Sequence, residues 1–232
     1  MSSATVVKIF SLTVHAIGVV SLSLVLGTTP SRAAIINGNF DTNLDGWTLL
    51  GDVGNQNSQA LLKTDAVNDN YAALEQFLEF TPGALDNVGN GQVFEGSALK
   101  QTITAQAGEV LTFDWNFLTN EPGQSTDFND FAFFTINGTP VKLGDTFSSF
   151  STSVAPFERE TGFKSKSYSF LTSGTYTLGF GVVDVNDPGN NSGLLIDNVV
   201  LSKPSDSVPE PSTVLGILVL GSLGTIRRLF RQ

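Results

Sequence analysis

The chain has 232 residues, with 22 acidic against 12 basic residues, no cysteine, one histidine and 18 phenylalanines. A net charge of −10 argues against a nucleic-acid-binding surface, because affinity for phosphates comes from clustered lysine and arginine. The lack of cysteine excludes disulfides, zinc–thiolate sites, iron–sulfur clusters and thiol nucleophiles. Few charged residues beside many Gly, Phe, Val and Thr predict one globular domain of the all-β class.

The first 33 residues have the layout of a secretory signal peptide. Lys8 supplies a positive charge, residues 9–26 form an apolar stretch, and residues 27–30 are helix breakers. Small residues then occupy the two positions that a signal peptidase reads, so we expect cleavage after Ala33. An uncleaved membrane anchor is the alternative, since about 18 apolar residues are long enough for one. Because His15 lies in this segment, the cleaved chain would hold neither His nor Cys and could form no Ser–His, Cys–His or His–metal site.

Between Ala34 and Lys203, apolar and polar residues alternate in short runs that predict a β-sandwich. The expected strands lie at residues 98–104, 111–117, 131–136, 141–143, 168–171, 176–183 and 194–201. A turn at 106–109 favours a hairpin of the first two strands, and Asn137-Gly138 predicts a tight reversal after the third. Residues 71–80 have helical spacing and predict a short surface helix. This body carries seven basic and twenty acidic residues, so its charge of about −13 attracts cations.

Residues 204–232 divide into a polar Pro-rich linker, an apolar run at 214–226 and a basic end. The linker contains Pro209, Glu210 and Pro211, and the basic end contains Arg227, Arg228 and Arg231. As a helix the apolar run would be about 20 Å long, so crossing the roughly 30 Å hydrocarbon layer would need bilayer thinning or snorkelling arginines. The positive-inside rule places the C-terminus in the cytoplasm and the body outside.

This three-part tail resembles the PEP-CTERM protein-sorting domain, also called the ice-binding protein C-terminal domain. In that family the tail holds an exported protein in the inner membrane until an exosortase cleaves near the Pro-Glu-Pro motif, in bacteria that make exopolysaccharide. The resemblance implies that Pro209, Glu210 and Pro211 are read by exosortase, with Arg227 and Arg228 as the basic end. It also implies signal peptidase and the inner membrane as partners, and a mature protein at the cell surface or outside the cell. The alternative is a plain Pro-rich spacer before a tail anchor.

Four segments of the body share one pattern of resemblance: 37–41, 44–47, 99–103 with Ala107-Gly108, and 195–199. They resemble galactose-binding-like jelly rolls, the architecture of many carbohydrate-binding modules. The resemblance implies a jelly-roll β-sandwich whose first and last strands lie close together. In such modules these strands often share a calcium ion, which here would be held by Asn39, Asp41 and Asp197.

Calcium is the one cofactor that we expect, since a hard cation takes six to eight oxygen ligands and the body offers only oxygens. A second candidate cluster consists of Asp184, Asn186 and Asp187, with Asn190 and Asn191 nearby in the sequence. A third consists of Asp127, Asn129 and Asp130. Each cluster also fits ordinary turn chemistry, in which Asp and Asn bond their own backbone.

A sugar-binding surface needs exposed aromatic planes beside planar polar groups. Trp47 and Trp115 lie in strand patterns that point inward, so we expect both in the core. Phe147, Phe150 and Phe157 lie in a Ser- and Thr-rich stretch and are the predicted aromatic platform. The alternative is that these rings seal the sandwich.

The body is predicted to be non-catalytic, because it contains no nucleophile elbow, no phosphate-binding Gly loop and no metal-hydrolase histidines. With twenty acids, some carboxylate pair would match a glycosidase by chance. The favoured function is an exported surface or matrix protein whose body binds polysaccharide with structural calcium. The alternative is a structural surface protein that assembles without a small ligand, with glycoside chemistry and ice adsorption less favoured.

Overall fold

The computed structural model describes residues 35–65, 70–89, 91–123, 126–151 and 155–203, which form eleven strands and two short helices. The predicted signal peptide and sorting tail lie outside these residues. The elements are β1 (Thr48–Leu50), β2 (Asp52–Asn55), β3 (Ala60–Lys63), α1 (Tyr71–Phe77), α2 (Asp86–Gly89), β4 (Val93–Ala105), β5 (Val110–Thr119), β6 (Phe131–Ile136), β7 (Thr139–Asp145), β8 (Arg159–Glu160), β9 (Lys164–Ser169), β10 (Gly174–Val185) and β11 (Ser192–Ser202).

The strands form two antiparallel sheets. The first has the order β1-β4-β10-β6-β7, and the second has the order β2-β3-β11-β5-β8, with β9 also paired to β5. Strands that are distant in sequence become neighbours, because β10 pairs with both β4 and β6 while β11 pairs with both β3 and β5. The predicted jelly-roll β-sandwich is therefore confirmed.

The main core lies between the sheets and is built largely from aromatic rings. Phe113 meets Phe180 edge-on at 4.8 Å between ring centroids, and Phe134 lies 5.2 Å from Phe113. Trp47 and Trp115 are both buried in this core, as their inward strand positions predicted. At every second position of these strands the side chain points inward. These side chains pack between the two sheets, which removes their apolar surface from water and stabilises the fold.

A second apolar cluster covers the outer face of the first sheet. Leu74 and Leu78, from α1 and the turn after it, pack with Phe131, Phe133 and other buried residues of that sheet. The predicted helix at 71–80 is thus present as α1, which ends at Phe77 and is followed by a turn.

Two local predictions are corrected. The segments predicted as a hairpin across 106–109 are β4 and β5, which lie in opposite sheets, so the turn carries the chain from one sheet to the other. Both strands have apolar side chains that point into the core, so the strands pack face to face across the sandwich instead of pairing within one sheet. The segment at 37–41, whose resemblance to jelly rolls implied the first strand, is a series of turns, although the amide of Val199 in β11 does donate to the carbonyl of Gly38 at 2.8 Å.

Candidate carbohydrate-binding site

A concave pocket of about 340 Å³ opens beside the β6–β7 pair. Its lining comes from the loop before β6 and from β7 with the turn that follows it. The lining residues are Thr126, Asn129, Lys142, Asp145 and Phe147. The pocket thus combines one aromatic ring with an amide, a hydroxyl and two charged groups, so it offers a ligand one apolar contact and several hydrogen-bonding groups.

The turn after β7 places the Phe147 ring at the surface. The Asp145 carboxylate accepts a hydrogen bond from the Phe147 amide at 3.1 Å, and the Asp145 carbonyl accepts one from the Ser148 amide at 2.9 Å. These bonds are those of an Asp-led turn, in which the side chain caps the backbone of the next residues. Phe147 is at the exposed position of this turn, with 40% of its surface accessible.

Thr146 ties this turn to the loop before β6. Its amide donates to the carbonyl of Asp130 at 3.2 Å, and its hydroxyl donates to Oδ1 of Asn129 at 2.8 Å. The second bond fixes the orientation of the Asn129 amide, whose Nδ2 is not used in it. Phe128 on the same loop is a second exposed aromatic residue. Both walls of the pocket are therefore held in place by hydrogen bonds.

The charged groups of the pocket form an ion pair. Lys142 Nζ lies 2.8 Å from Asp145 Oδ2, at the edge of the sheet. An ion pair this exposed adds little stability, but it holds a donor and an acceptor side by side. Adjacent hydroxyls of a sugar ring need such a pair of partners, while the apolar C–H face of the ring can pack on an aromatic plane.

The three predicted platform residues have different positions. Phe147 lines the pocket, whereas Phe150 is half-buried between Phe117, at 6.3 Å, and the Arg159 guanidinium, at 4.9 Å. Phe157 is only 3% exposed and packs on Leu61, Leu118 and Leu195 on the outer face of the second sheet. Phe157 therefore seals the sheet, and the platform prediction does not extend to it, because a buried ring cannot stack on a ligand.

The first predicted calcium cluster makes local hydrogen bonds. Asn39 donates to the Asp41 carboxylate, and both residues are exposed. Asp197 accepts a hydrogen bond from the amide of Asn198 at 2.7 Å. These contacts are those expected of turn chemistry, and calcium binding at this cluster stays a prediction.

The second and third predicted clusters are brought together at one end of the sandwich. The side chain of Asn186 donates to the carbonyl of Asp127 at 2.6 Å and accepts from the amide of Gln92 at 3.0 Å. Asp187, the remaining member of the second cluster, is half-buried in the same loop. Asp130 and Asp184 are both buried, and the negative charge of Asp130 raises the pKa of Asp184.

Burial changes the ionisation of this carboxyl pair. It raises the pKa of Asp130 to about 7, although the Asp184 carboxyl, the Ser192 hydroxyl and the amide of Val185, which all favour the charged form, act in the opposite direction. Burial, and next the negative charge of Asp130, raise the pKa of Asp184 to about 10. Burial also raises the pKa of Glu95 and of Glu121. Without a cation, the Asp130–Asp184 pair therefore retains at least one proton at neutral pH.

The sequence did not predict a role for Lys142, Asp145, Glu95 or Glu121. Lys142 and Asp145 are charged residues near the end of an edge strand, and no sequence pattern distinguishes them from ordinary surface residues. The sequence does contain a signal for one residue near the buried carboxyl groups. Thr119 continues the inward series of Phe113, Trp115 and Phe117, so a polar side chain is expected at this end of the core. Within the described ranges, no group of three or more His, Cys, Asp or Glu side chains is arranged to hold a metal ion.

Residues 207–232 match the family model of the PEP-CTERM protein-sorting motif. This motif implies export, anchoring in the membrane before processing, and processing by an exosortase. The Pro-Glu-Pro and arginine residues predicted as the sorting motif lie inside the matched range, outside the residues that the structure describes. Of the helices that are described, none has the length and apolar character to span a membrane.

No curated protein matches the chain. Several solved structures have a similar fold. TmCBM61, solved in complex with β-1,4-galactotriose, is 14% identical with a TM-score of 0.39, and the match covers 75% of this chain and all of that one. The mannan-recognising module TmCBM27 is 16% identical with a TM-score of 0.37, covering 75% and 98%. The K3 cleaved adhesin domain of Lys-gingipain from Porphyromonas gingivalis w83 is 11% identical with a TM-score of 0.39, covering 74% and 100%. These similarities concern the architecture alone.

Proposed function

We propose that this exported protein binds polysaccharide through the pocket around Phe147, at the cell surface or in the extracellular matrix. The observation that carries the proposal is the exposed Phe147 ring beside the Lys142–Asp145 pair and the fixed Asn129 amide. An aromatic plane with donors and acceptors at its edge suits a sugar ring, which has an apolar face and a rim of hydroxyls. The sorting tail supports the location, because it implies export and a route to the cell envelope.

The proposed role is binding without catalysis. A glycosidase needs two carboxyl groups that reach the scissile bond from either side. Asp130 and Asp184 are neighbouring carboxyl groups with raised pKa values, but both are buried, so a glycan cannot contact them. The pocket itself has a single carboxylate, Asp145, which is already paired with Lys142.

Retention of the full chain in gels containing exopolysaccharide from the producing strain tests this function. The chain, in a mild non-ionic detergent, should migrate more slowly in such gels than in plain gels. Phe147→Ala should lose most of this retention, since losing the burial of a Phe ring costs about 1.5–3 kcal/mol, or roughly 10- to 150-fold in affinity.

Phe163→Ala is the matched control, because Phe163 is also an exposed ring, 49% accessible, but does not line the pocket. Equal loss of retention in both variants would indicate nonspecific binding by exposed rings and would contradict a site at Phe147. No retention of the folded wild-type chain would overturn the proposal and favour a structural surface protein that assembles without a small ligand.

A further inference from the structure

One end of the sandwich has a polar interior. In β10 the inward series Leu178, Phe180 and Val182 continues with Asp184, and in β11 the inward residues Leu194 and Ile196 are preceded by Ser192. The alternation of inward residues in β3 and β5 likewise continues to Thr64, directly after β3, and to Thr119, the last residue of β5. All four of these polar residues are buried. The two sheets therefore enclose a set of oxygen atoms between them.

Ser192 connects most of this set. Its hydroxyl donates to Asp130 Oδ2 at 2.6 Å and lies 2.9 Å from the hydroxyl of Thr119, while its amide donates to the hydroxyl of Thr64 at 2.9 Å. The other Asp130 oxygen accepts from the amide of Val185 at 3.0 Å. Asp130 is thus held in one orientation by both sheets.

Asp184 has no such support. It is 1% exposed, and neither of its carboxyl oxygens has a hydrogen bond of good geometry, although Asp130 and Thr64 lie close enough to affect its ionisation. One oxygen each of Glu95 and Glu121 is also buried without a hydrogen-bond partner. A buried carboxylate without a partner is strongly destabilising, so a group of this kind needs a proton or a cation.

The basic side chains nearby do not supply that cation. Arg159 acts on Glu121, but no basic side chain in the described part of the chain contributes to the ionisation of Asp130, Asp184 or Glu95. The available atoms are all oxygens, because residues 35–203 contain neither His nor Cys. Such a donor set matches a hard divalent cation, and calcium tolerates the irregular geometry of hydroxyl and carboxylate ligands better than magnesium does.

We propose that a calcium ion binds between the two sheets, held by the carboxylates of Asp130 and Asp184 with the hydroxyls of Thr64 and Ser192. Glu95 and Glu121 add negative charge around these ligands. The site differs from the predicted one at Asn39, Asp41 and Asp197, and it does not depend on polysaccharide binding. It would fasten the loop before β6, since Asp130 also accepts the hydrogen bond that holds Thr146.

Calcium titration of the EDTA-treated full chain in mild detergent tests the site. Isothermal titration should detect binding, and calcium should raise the Tm followed by the fluorescence of the buried Trp47 and Trp115. Asp184→Asn and Asp130→Asn should each weaken calcium binding at least about tenfold and abolish the Tm increase. Because Asn keeps the shape but removes a buried charge, we expect both variants to fold in EDTA at least as stably as the wild-type chain.

Two surface variants serve as controls. Asp45→Asn removes one negative charge at an exposed position, and Asp41→Asn removes a carboxylate of the other predicted cluster. Both should retain the wild-type calcium response. A wild-type chain whose Tm is the same in calcium and in EDTA would overturn the proposal. So would a response that survives in both Asp184→Asn and Asp130→Asn, or one that is lost only in Asp41→Asn.

Discussion

Asp130 and Asp184 illustrate how a buried position changes the chemistry of a common side chain. In solution both carboxyl groups would be ionised at neutral pH, since the ordinary value for their pKa is 3.8. Between the sheets, burial makes the charged form costly, and the pair must hold a proton or a cation. The same two residues thus respond to pH and, at the proposed site, to calcium.

The first prediction concerns the pH dependence of stability in calcium-free buffer. The folded state keeps protons on Asp130 and Asp184 at pH values where the unfolded chain has released them. The free energy of unfolding should therefore fall as the pH rises from about 4 through 7, and further toward 10. Thermal unfolding in EDTA at pH 5 and pH 8 measures this, with the higher Tm expected at pH 5.

Asp130→Asn is the comparison for this pH series, because it removes one of the two titrating groups. Its Tm should change less between pH 5 and pH 8 than that of the wild-type chain. A wild-type Tm that is equal at both pH values, or higher at pH 8, would contradict the raised pKa of the pair.

At the scale of elements, the β6–β7 turn is the best example of a feature that the sequence predicts correctly. Asn137 and Gly138 both have positive φ, at 48° and 70°, as a tight reversal by an Asn-Gly pair requires. The turn also packs against the segment after α1, because a Cβ atom on Gly138 would lie 2.4 Å from the carbonyl oxygen of Glu79. The turn therefore has a tertiary role that its sequence does not reveal.

Gly138→Ala should destabilise the folded body by about 1–3 kcal/mol, since it combines backbone strain with a clash against Glu79. Chemical denaturation followed by tryptophan fluorescence measures the change. Gly54→Ala in β2 is the matched control, because a Cβ atom there would meet no atom within 4 Å, and its effect should stay within about 0.5 kcal/mol. Equal effects of the two substitutions would contradict this account of the turn.

Strand positions could be predicted from alternation, but strand pairing could not. The pattern of β5 fixes which side chains face inward, and it is observed as predicted in Phe113, Trp115 and Phe117. Whether a turn such as 106–109 closes a hairpin or crosses between sheets depends on which distant strand offers the better partner. β4 pairs with β10 and β5 pairs with β11, both far along the chain, so local sequence could not determine this pairing.

The candidate pocket was only partly predictable for the same reason. Phe147 could be chosen as an aromatic residue in a polar stretch, and it does line the pocket. Phe157 has similar sequence surroundings, yet it is buried because Leu61, Leu118 and Leu195 form an apolar patch on the outer face of the sheet. Exposure depends on what the rest of the fold places beneath each ring, which short sequence patterns do not contain.

For the whole molecule, the sorting tail and the sandwich define different parts of the function. The tail, matched at residues 207–232, concerns where the protein goes. The body, with a charge of about −13, concerns what it does there, and its acidity attracts cations. The proposed calcium site and the proposed glycan pocket meet at the loop before β6, which supplies Asp130 to one and Asn129 to the other.

Hydroxyl-radical footprinting of the full chain with exopolysaccharide fragments tests polysaccharide binding at the Phe147 pocket. Oxidation of Phe147 and of Phe163 would be compared by mass spectrometry with and without the fragments. We expect the fragments to protect Phe147 and to leave the oxidation of Phe163 unchanged, since both rings are exposed but only Phe147 lines the pocket. Saturating fragments that bind the chain yet leave Phe147 as reactive as before would contradict it.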